Sequence, residues 1–285
     1  MKRVWNVLMG ALLALATVAS WGFLALNHTV NDQDVPIEKT LLVSGAPKTV
    51  LAVWAHPDDE ITSAGTLARL AKEEGARLVL VYMSRGEAAK GLGYTADQLA
   101  TLRPPEAQAA GKALGAARVV VLDYPDGGLI GVDSALAQTS IRRIIDEERP
   151  SVIVSFDERV GFYGHPDHAQ VGRWVRDIVD KGLTEQDFPV RRLYQATLPG
   201  SMVEIALKFV DAFRNRYPRE PGQGLPAPDL AVDIPSQAAS KRAVLDAHTT
   251  QVKIIADVQP GYDRLPAWLY YRLFDREYYT VALER

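Results

Sequence analysis

The chain has 285 residues, 47% of them hydrophobic, with a formal charge of −3 and no cysteine. That balance lacks the basic excess of a nucleic-acid-binding protein, and it rules out disulfides, thiolate metal sites and a cysteine nucleophile. The apolar content supports a substantial core on the scale of one elaborated α/β domain.

The chain opens on Lys2 and Arg3, followed by an apolar stretch from Val4 to Leu26 whose polar side chains, Asn6, Thr17 and Ser20, are uncharged. Crossing a bilayer takes ~20 apolar residues, so residues 1–27 read as a transmembrane signal anchor. Val18-Ala19-Ser20 offers a cleavage site, which makes a secreted protein with a removed signal the competing reading. Basic residues precede the span, while Asp32, Asp34 and Glu38 follow it. The positive-inside rule then puts the N-terminus in the cytoplasm and the catalytic body on the non-cytoplasmic side. Residues 28–48 are polar and read as a tether, and 49–285 as one catalytic domain.

From Thr49 apolar runs alternate with amphipathic stretches. Val50 to Trp54 reads as a buried strand, and Ile61, Ala64, Leu67, Ala68 and Ala71 recur at helical spacing up to Gly75. Leu78 to Met83 and Arg118 to Leu122 read as strands, the latter ending in the turn signal Asp123-Tyr124-Pro125-Asp126-Gly127-Gly128. Ile141, Ile144 and Ile145 mark a helix that stops before Pro150. Ser151 to Phe156 is a further strand, and a helix follows from His168 to Lys181. Arg191 to Thr197 reads as a strand and Val203 to Phe213 as a helix. Residues 217–235 are rich in proline and glycine and read as a long loop, and Ser236 to Ala256 as a helix carrying His248. Strands alternating with helices, without hairpin turns, predict a Rossmann-like, mostly parallel α/β sheet with helices on both faces.

Two four-residue phrases carry the chemistry. His56-Pro57-Asp58-Asp59 and His165-Pro166-Asp167-His168 each follow a predicted strand, and they hold three of the chain's five histidines. In a parallel sheet ligands bind at the carboxyl ends of the strands, which is where both phrases fall. Proline suits the first position of a helix, and residues three apart share a face, so His56 pairs with Asp59 and His165 with His168. Nitrogen and oxygen donors suit Zn2+, and they also admit Fe2+ or Co2+. His56, Asp59 and one histidine of the second phrase supply three ligands and leave a position open. Such an ion polarises a carbonyl and lowers the pKa of water to roughly 7. Asp58 is then free to act as the base, and a remaining histidine to stabilise an oxyanion or protonate a leaving amine. Spacing alone leaves open which histidine of the second phrase is the ligand.

These phrases, Ala55-His56-Pro57-Asp58-Asp59-Glu60 with His165-Pro166-Asp167-His168, resemble the LmbE-like/PIG-L family of zinc-dependent N-acetylglucosaminyl de-N-acetylases. The resemblance runs from about Thr49 to His248. It implies His56, Asp59 and His168 as zinc ligands and Asp58 as general base. It implies His165 as oxyanion stabiliser and general acid, supported by Asp167. Ser84-Arg85-Gly86-Glu87 stands where the family has a short loop, offering Arg85 and Glu87 as substrate contacts. Arg103-Pro104-Pro105-Glu106 resembles the family's Arg-x-x-Glu helix, whose arginine contacts the sugar, although the two prolines predict a helix beginning at Pro104. Asp126 resembles a ligand of a sugar hydroxyl. Lys241 to Gln251 resembles a late His-Ser-Gln segment, which brings His248 toward the site.

The implied activity is removal of an N-acetyl group from an N-acetylglucosamine-type sugar in a glycan or glycolipid. An amidase acting on another conjugate, or a non-catalytic metal-binding envelope protein, are the alternatives. A nicotinamide dehydrogenase is disfavoured, because Gly91-Leu92-Gly93 does not lie between the first strand and its helix.

Overall fold

The computed structural model describes residues 2–91 and 93–285; Leu92, in the discounted glycine segment, lies outside them. Strands β1 (Ile37–Glu38), β2 (Thr49–Trp54), β3 (Arg77–Ser84), β4 (Arg118–Tyr124), β5 (Val152–Ser155), β6 (Arg192–Thr197), β7 (Leu230–Asp233) and β8 (Arg276–Glu284) form one sheet. Its order is β1-β7-β8-β6-β5-β2-β3-β4. β8 runs antiparallel to β6 and β7, and the other pairings are parallel. The helices are α1 (Lys2–Val30), α2 (Ala64–Lys72), α3 (Ala96–Leu114), α4 (Ser134–Glu148), the short α5 (Gly161–Gly164), α6 (Pro166–Gly182), α7 (Gly200–Phe209), α8 (Asp211–Arg216), α9 (Ala238–Ala247), α10 (Val252–Val258) and α11 (Ala267–Leu273).

The central strands are apolar on both faces, and their two-residue period divides the core into two layers. Val50, Ala52 and Trp54 of β2, with Leu78 and Leu80 of β3, pack under α2, α3 and α9. Leu51, Val53, Val79 and Val81 pack against Ile141 and Ile145 of α4 and Val171 and Val175 of α6. Burying each such side chain contributes ~1.5–3 kcal/mol. Gly172 lets α6 lie directly on the end of β5: a Cβ there would stand 2.6 Å from the Phe156 carbonyl oxygen. This contact sets the height of the helix that carries His168.

The chain passes from β2 outward to β3 and β4, then returns to place β5 on the other side of β2. β2 and β5 therefore flank the topological switch point, the natural ligand crevice of such a sheet.

Several local expectations give way here. The tether and the long loop are both partly absorbed into the fold. Residues 37–38 pair with β7, which itself comes from residues 230–233 of the segment read as loop. Val30, Val35 and Leu41 are buried. Asn27 and Asn31 donate to the Leu273 carbonyl at the end of α11. Short polar stretches carry little periodicity, so their strand state comes from the neighbouring sheet edge. The helix read from Val203 to Phe213 breaks at Val210, and the one read through Ala256 breaks at His248.

Residues Lys2–Val30 form one helix, of which Leu8–Val30 is long and apolar enough to cross a membrane. Trp5, Leu13, Leu15, Trp21 and Leu24 are all exposed. Its 23 residues, with a mean hydropathy of 1.9, span ~35 Å at the helical rise, and Val30 at their end is buried against the body.

Candidate metal centre

The two phrases meet at the switch point. The second folds as its residues dictate: His165 caps α6 and Pro166 occupies the first turn. The first does not open an α-helix. Asp58 adopts φ 106°, a left-handed conformation that strains a side-chain-bearing residue, and Asp59 begins a short 3-10 turn. Three side chains hold this bend. The Asp58 N–H donates to Glu60 Oε2 at 3.0 Å. The Asp59 carboxylate accepts from the N–H groups of Ala55 at 3.0 Å and His56 at 2.8 Å. Arg103 reaches in from α3, donating to Asp58 Oδ2 at 2.8 Å and to the carbonyls of Pro57 and Gly86. Gly86, at φ +75°, leaves room that a Cβ would take from the guanidinium.

Donor atoms of His56, Asp59 and His168 lie within 4.8 Å of one another, and all three residues are buried. His56, His165 and Asp167 form a second such group sharing His56. The His168 ring is sandwiched between Phe156, 4.2 Å away and nearly parallel, and His165 at 4.5 Å. Neither of its ring nitrogens has a hydrogen-bond partner, although Nε2 stands 3.1 Å from Asp59 Oδ1. Buried, unpaired imidazole nitrogens beside a carboxylate are what a divalent ion requires, so the first donor set fits a metal.

Electrostatics support the same fit. Burial disfavours a charged His56, yet Asp126, Asp167 and Asp59 around its ring raise its pKa well above the ordinary value. Burial likewise works against ionised Asp59, but His168 and His56 hold it well below the usual carboxylate range. The carboxylates stabilise positive charge at the His56 ring, and a metal ion held there would displace that proton. Asp58 is different: burial raises it to about 6, despite the Arg103 charge pulling it down. Burial, aided by His168 and His56, lowers His165 to about 2. The Asp167 N–H donates to His165 Nδ1 at 3.2 Å, so the neutral ring carries its hydrogen on Nε2.

The remaining expected contacts scatter. Asp126 lines the cleft, 2.9 Å from His56 Nε2; burial raises its pKa, but the His56 hydrogen bond and charge, the Ala88 N–H and the Arg103 charge together bring it down to about 2. Arg85 points to the surface and pairs with Asp123 at 2.9 Å. Glu87 accepts the Asp126 N–H and so shapes the loop after β4. His248 is fully buried behind the site, bonded to Glu60. Asp167 supports His165 through its backbone only; its carboxylate accepts the N–H groups of Gly127 and Leu129 and lies 3.3 Å from His56 Nε2.

Arg103 departs furthest from expectation. α3 starts at Thr95, eight residues before it, with a Thr95/Gln98 capping box, and runs through both prolines. Arg103 is thus a buried mid-helix residue that lines the cleft and whose guanidinium pairs with Asp58. The capping box was visible as Thr-x-x-Gln; Glu60 and Glu106 stood inside the Ala55–Glu60 and Arg103–Glu106 motifs, but their partners lie far along the chain and no local pattern gave them a role. Glu106 accepts from Thr249 and Thr250, tying α3 to the turn after His248.

A pH test follows from this arrangement. Arg103 lowers the Asp58 pKa, so Arg103→Met raises it further above its unfolded value. A general base acts when ionised, and the acidic limb of kcat/KM therefore moves to higher pH, by ~1 unit or more. A lower rate with the limb unmoved would show that Arg103 serves as scaffold alone.

Fold and site together define a metal-dependent hydrolase built at the switch point of a Rossmann-like sheet. A sequence profile of the PIG-L family, described as GlcNAc-PI de-N-acetylase, matches residues 51–179. A 1D-myo-inositol 2-acetamido-2-deoxy-alpha-D-glucopyranoside deacetylase from Nakamurella multipartita is 34% identical over 250 residues, covering 75% of this chain and 83% of the relative. The chain belongs to the PIG-L, or LmbE-like, family of de-N-acetylases, which are amide hydrolases. A deacetylase of the same name from Rhodococcus erythropolis is 32% identical, covering 74% of this chain and 84% of its own. Among solved structures, N,N'-diacetylchitobiose deacetylase from Pyrococcus horikoshii aligns with a TM-score of 0.57 at 19% identity, over 82% of this chain and 83% of that one. A 4-carboxy-2-hydroxymuconate hydratase from Pseudomonas putida aligns at 0.59 with 19% identity, over 83% of this chain and 97% of that one. These likenesses show a shared fold. That the fold also serves a hydratase means the reaction is argued from the site.

Proposed function

We propose that this enzyme removes the N-acetyl group from an N-acetylglucosamine-type sugar carried on a glycan or glycolipid, at the non-cytoplasmic face of a membrane. The observation that carries the reading is the buried His56–Asp59–His168 cluster with the Asp58 carboxylate beside it in one cleft. The relatives named as deacetylases of an N-acetylated glucosaminide support the substrate class.

His56, Asp59 and His168 would hold the ion, and the donor set suits Zn2+ while admitting Fe2+ or Co2+. The ion, when bound, supplies Lewis-acid polarisation of the amide carbonyl and makes water a better nucleophile near neutral pH. Asp58 takes a proton from the attacking water; its elevated pKa lets it keep that proton and pass it to the departing nitrogen. The His165 Nε2–H donates to the carbonyl oxygen as negative charge develops there. His165 remains neutral, so the proton for the amine comes from Asp58 rather than from an imidazolium. Collapse of the tetrahedral adduct yields acetate and the free amine. Asp126 and Arg103 both line the cleft where the sugar would lie, whereas Arg85 and His248 face elsewhere.

Full-length protein in lipid nanodiscs is expected to release acetate from N-acetylglucosaminides, to stop after chelation, and to recover with Zn2+. Undiminished activity after thorough chelation would overturn the metal role, and no acetate from any N-acetylglucosaminide would overturn the substrate class. The membrane reading rests on Leu8–Val30 and on Lys2 and Arg3 before it. A reporter joined after Arg285 should be active only outside the cytoplasm; cytoplasmic activity would reverse the orientation.

A further inference from the structure

Asp58 occupies a backbone conformation that it does not favour by itself. At φ 106° a side-chain-bearing residue is strained, so the place of its carboxylate depends on what grips it. Two grips reach it: its N–H donates to Glu60 Oε2 at 3.0 Å, and its carboxylate accepts from Arg103 at 2.8 Å. Both are anchored on the same short turn, residues 248–250. Glu60 Oε1 accepts from His248 Nε2. Glu106, one turn after Arg103 on the same face of α3, accepts the Thr249 hydroxyl at 2.6 Å, the Thr250 N–H at 2.7 Å and the Thr250 hydroxyl at 2.8 Å. Pro104 and Pro105 lie between Arg103 and Glu106 and take two backbone bonds out of α3. The helix is therefore weakened where Arg103 must be held, and the Glu106 clamp lies just beyond. Glu60, Glu106, His248 and Thr250 are buried, and none of them lines the cleft. They reach a substrate only through another residue.

We propose that His248 and Thr250 are positioning residues for the base: the turn they form fixes Asp58 through Glu60 at its backbone, and through Glu106 and Arg103 at its carboxylate. The proposal rests on the reading of Asp58 as the base of a de-N-acetylase. The Asp59 carboxylate is held separately, by the N–H groups of Ala55 and His56. Loosening the turn therefore displaces the base without releasing the ligands His56, Asp59 and His168. Metal content and KM stay, and kcat falls, because the loss is felt only when the proton moves.

The test uses the metal-loaded full chain in lipid nanodiscs, with methyl N-acetylglucosaminide as substrate. His248→Leu removes the donor to Glu60, whereas His248→Gln keeps an N–H within reach. Thr250→Val removes the hydroxyl donor to Glu106, whereas Thr250→Ser keeps it. His248→Leu is expected to lower kcat per metal-loaded chain by ~10–100-fold, and Thr250→Val by ~3–10-fold, with KM little changed. The Gln and Ser variants should recover most of the rate. Both holds end on one residue, so the double Leu/Val variant should lose less than the product of the single losses. Hydrogen exchange at the Asp58 N–H should quicken in His248→Leu and return in His248→Gln. Gln and Ser variants as impaired as Leu and Val, metal lost in step with rate, or single losses that multiply would each overturn the proposal. If His248→Leu does not fold, the Thr250 pair carries the test. If wild type releases no acetate, the de-N-acetylase reading fails by itself. The exchange comparison then still decides the hold on Asp58: quickened exchange supports it, and unchanged exchange overturns it.

Discussion

Asp58→Asn is expected to lower kcat by ~10³-fold, within the range of lost general acid–base catalysis, while the protein retains its metal. Asn keeps the size of the side chain and a hydrogen-bond acceptor for Arg103, so the Arg103 contacts to the Pro57 and Gly86 carbonyls persist. The strained backbone at position 58 tolerates asparagine better than most residues. What the substitution removes is the capacity to take and return a proton at a group whose pKa stands at about 6. Metal analysis beside single-turnover acetate release checks it. A variant that lost metal along with activity would make Asp58 a ligand. One that kept most of its rate would move the base elsewhere.

His168→Ala is expected to abolish metal binding at micromolar ion, a loss greater than the ~10–100-fold typical of residues that only support a ligand. His168 is wedged between Phe156 and His165 with both ring nitrogens unpaired, and no other described side chain replaces it opposite Asp59. The vacated space also removes packing under α6, so thermal melts are needed to show that the variant folds. His165→Ala provides the contrast: it should keep the metal and lose ~10²-fold in rate, the cost of one oxyanion donor. The reverse pattern would exchange the two histidines' roles and favour the second donor group, which contains His165 and Asp167. Inductively coupled plasma measurement of metal per chain, with acetate release, distinguishes these results.

Much of the site was legible because its ligands sit in two short phrases at the ends of strands. Apolar runs marked the strands, and a concentration of histidine and aspartate at the following turns marked the chemistry. Local rules failed where a local rule had a stronger competitor. The prolines at 104 and 105 each cost a helix bond, to the carbonyls of Ala100 and Thr101, which argues for a helix start. The helix persists because it is capped at Thr95 and because Arg103 is locked into the site from its middle. Pro57 similarly suggested a helix start, but the Glu60, Arg103 and Asp59 contacts draw residues 56–58 into a bend instead.

Residues 217–235 and 28–48 show a different limit. Four residues from one and two from the other become the outer two strands at one side of the sheet only because β8 folds back antiparallel between β6 and β7, which no short-range pattern announces.

The sequence by itself determined the alternation of strands and helices, the apolar N-terminal helix and the identity of the metal-ligating types. Periodicity and ligand chemistry are properties of neighbours along the chain. The tertiary structure alone decided what each acid and base is attached to. Glu60 meets His248 across a separation of 188 residues, and His56 meets Asp167 across 111. The first pairing withdrew His248 from the cleft, α3 brought Arg103 onto Asp58, and burial beside His168 and His56 lowered the His165 pKa. These contacts depend on which strands lie side by side at the switch point, and that order is set by packing of the whole sheet.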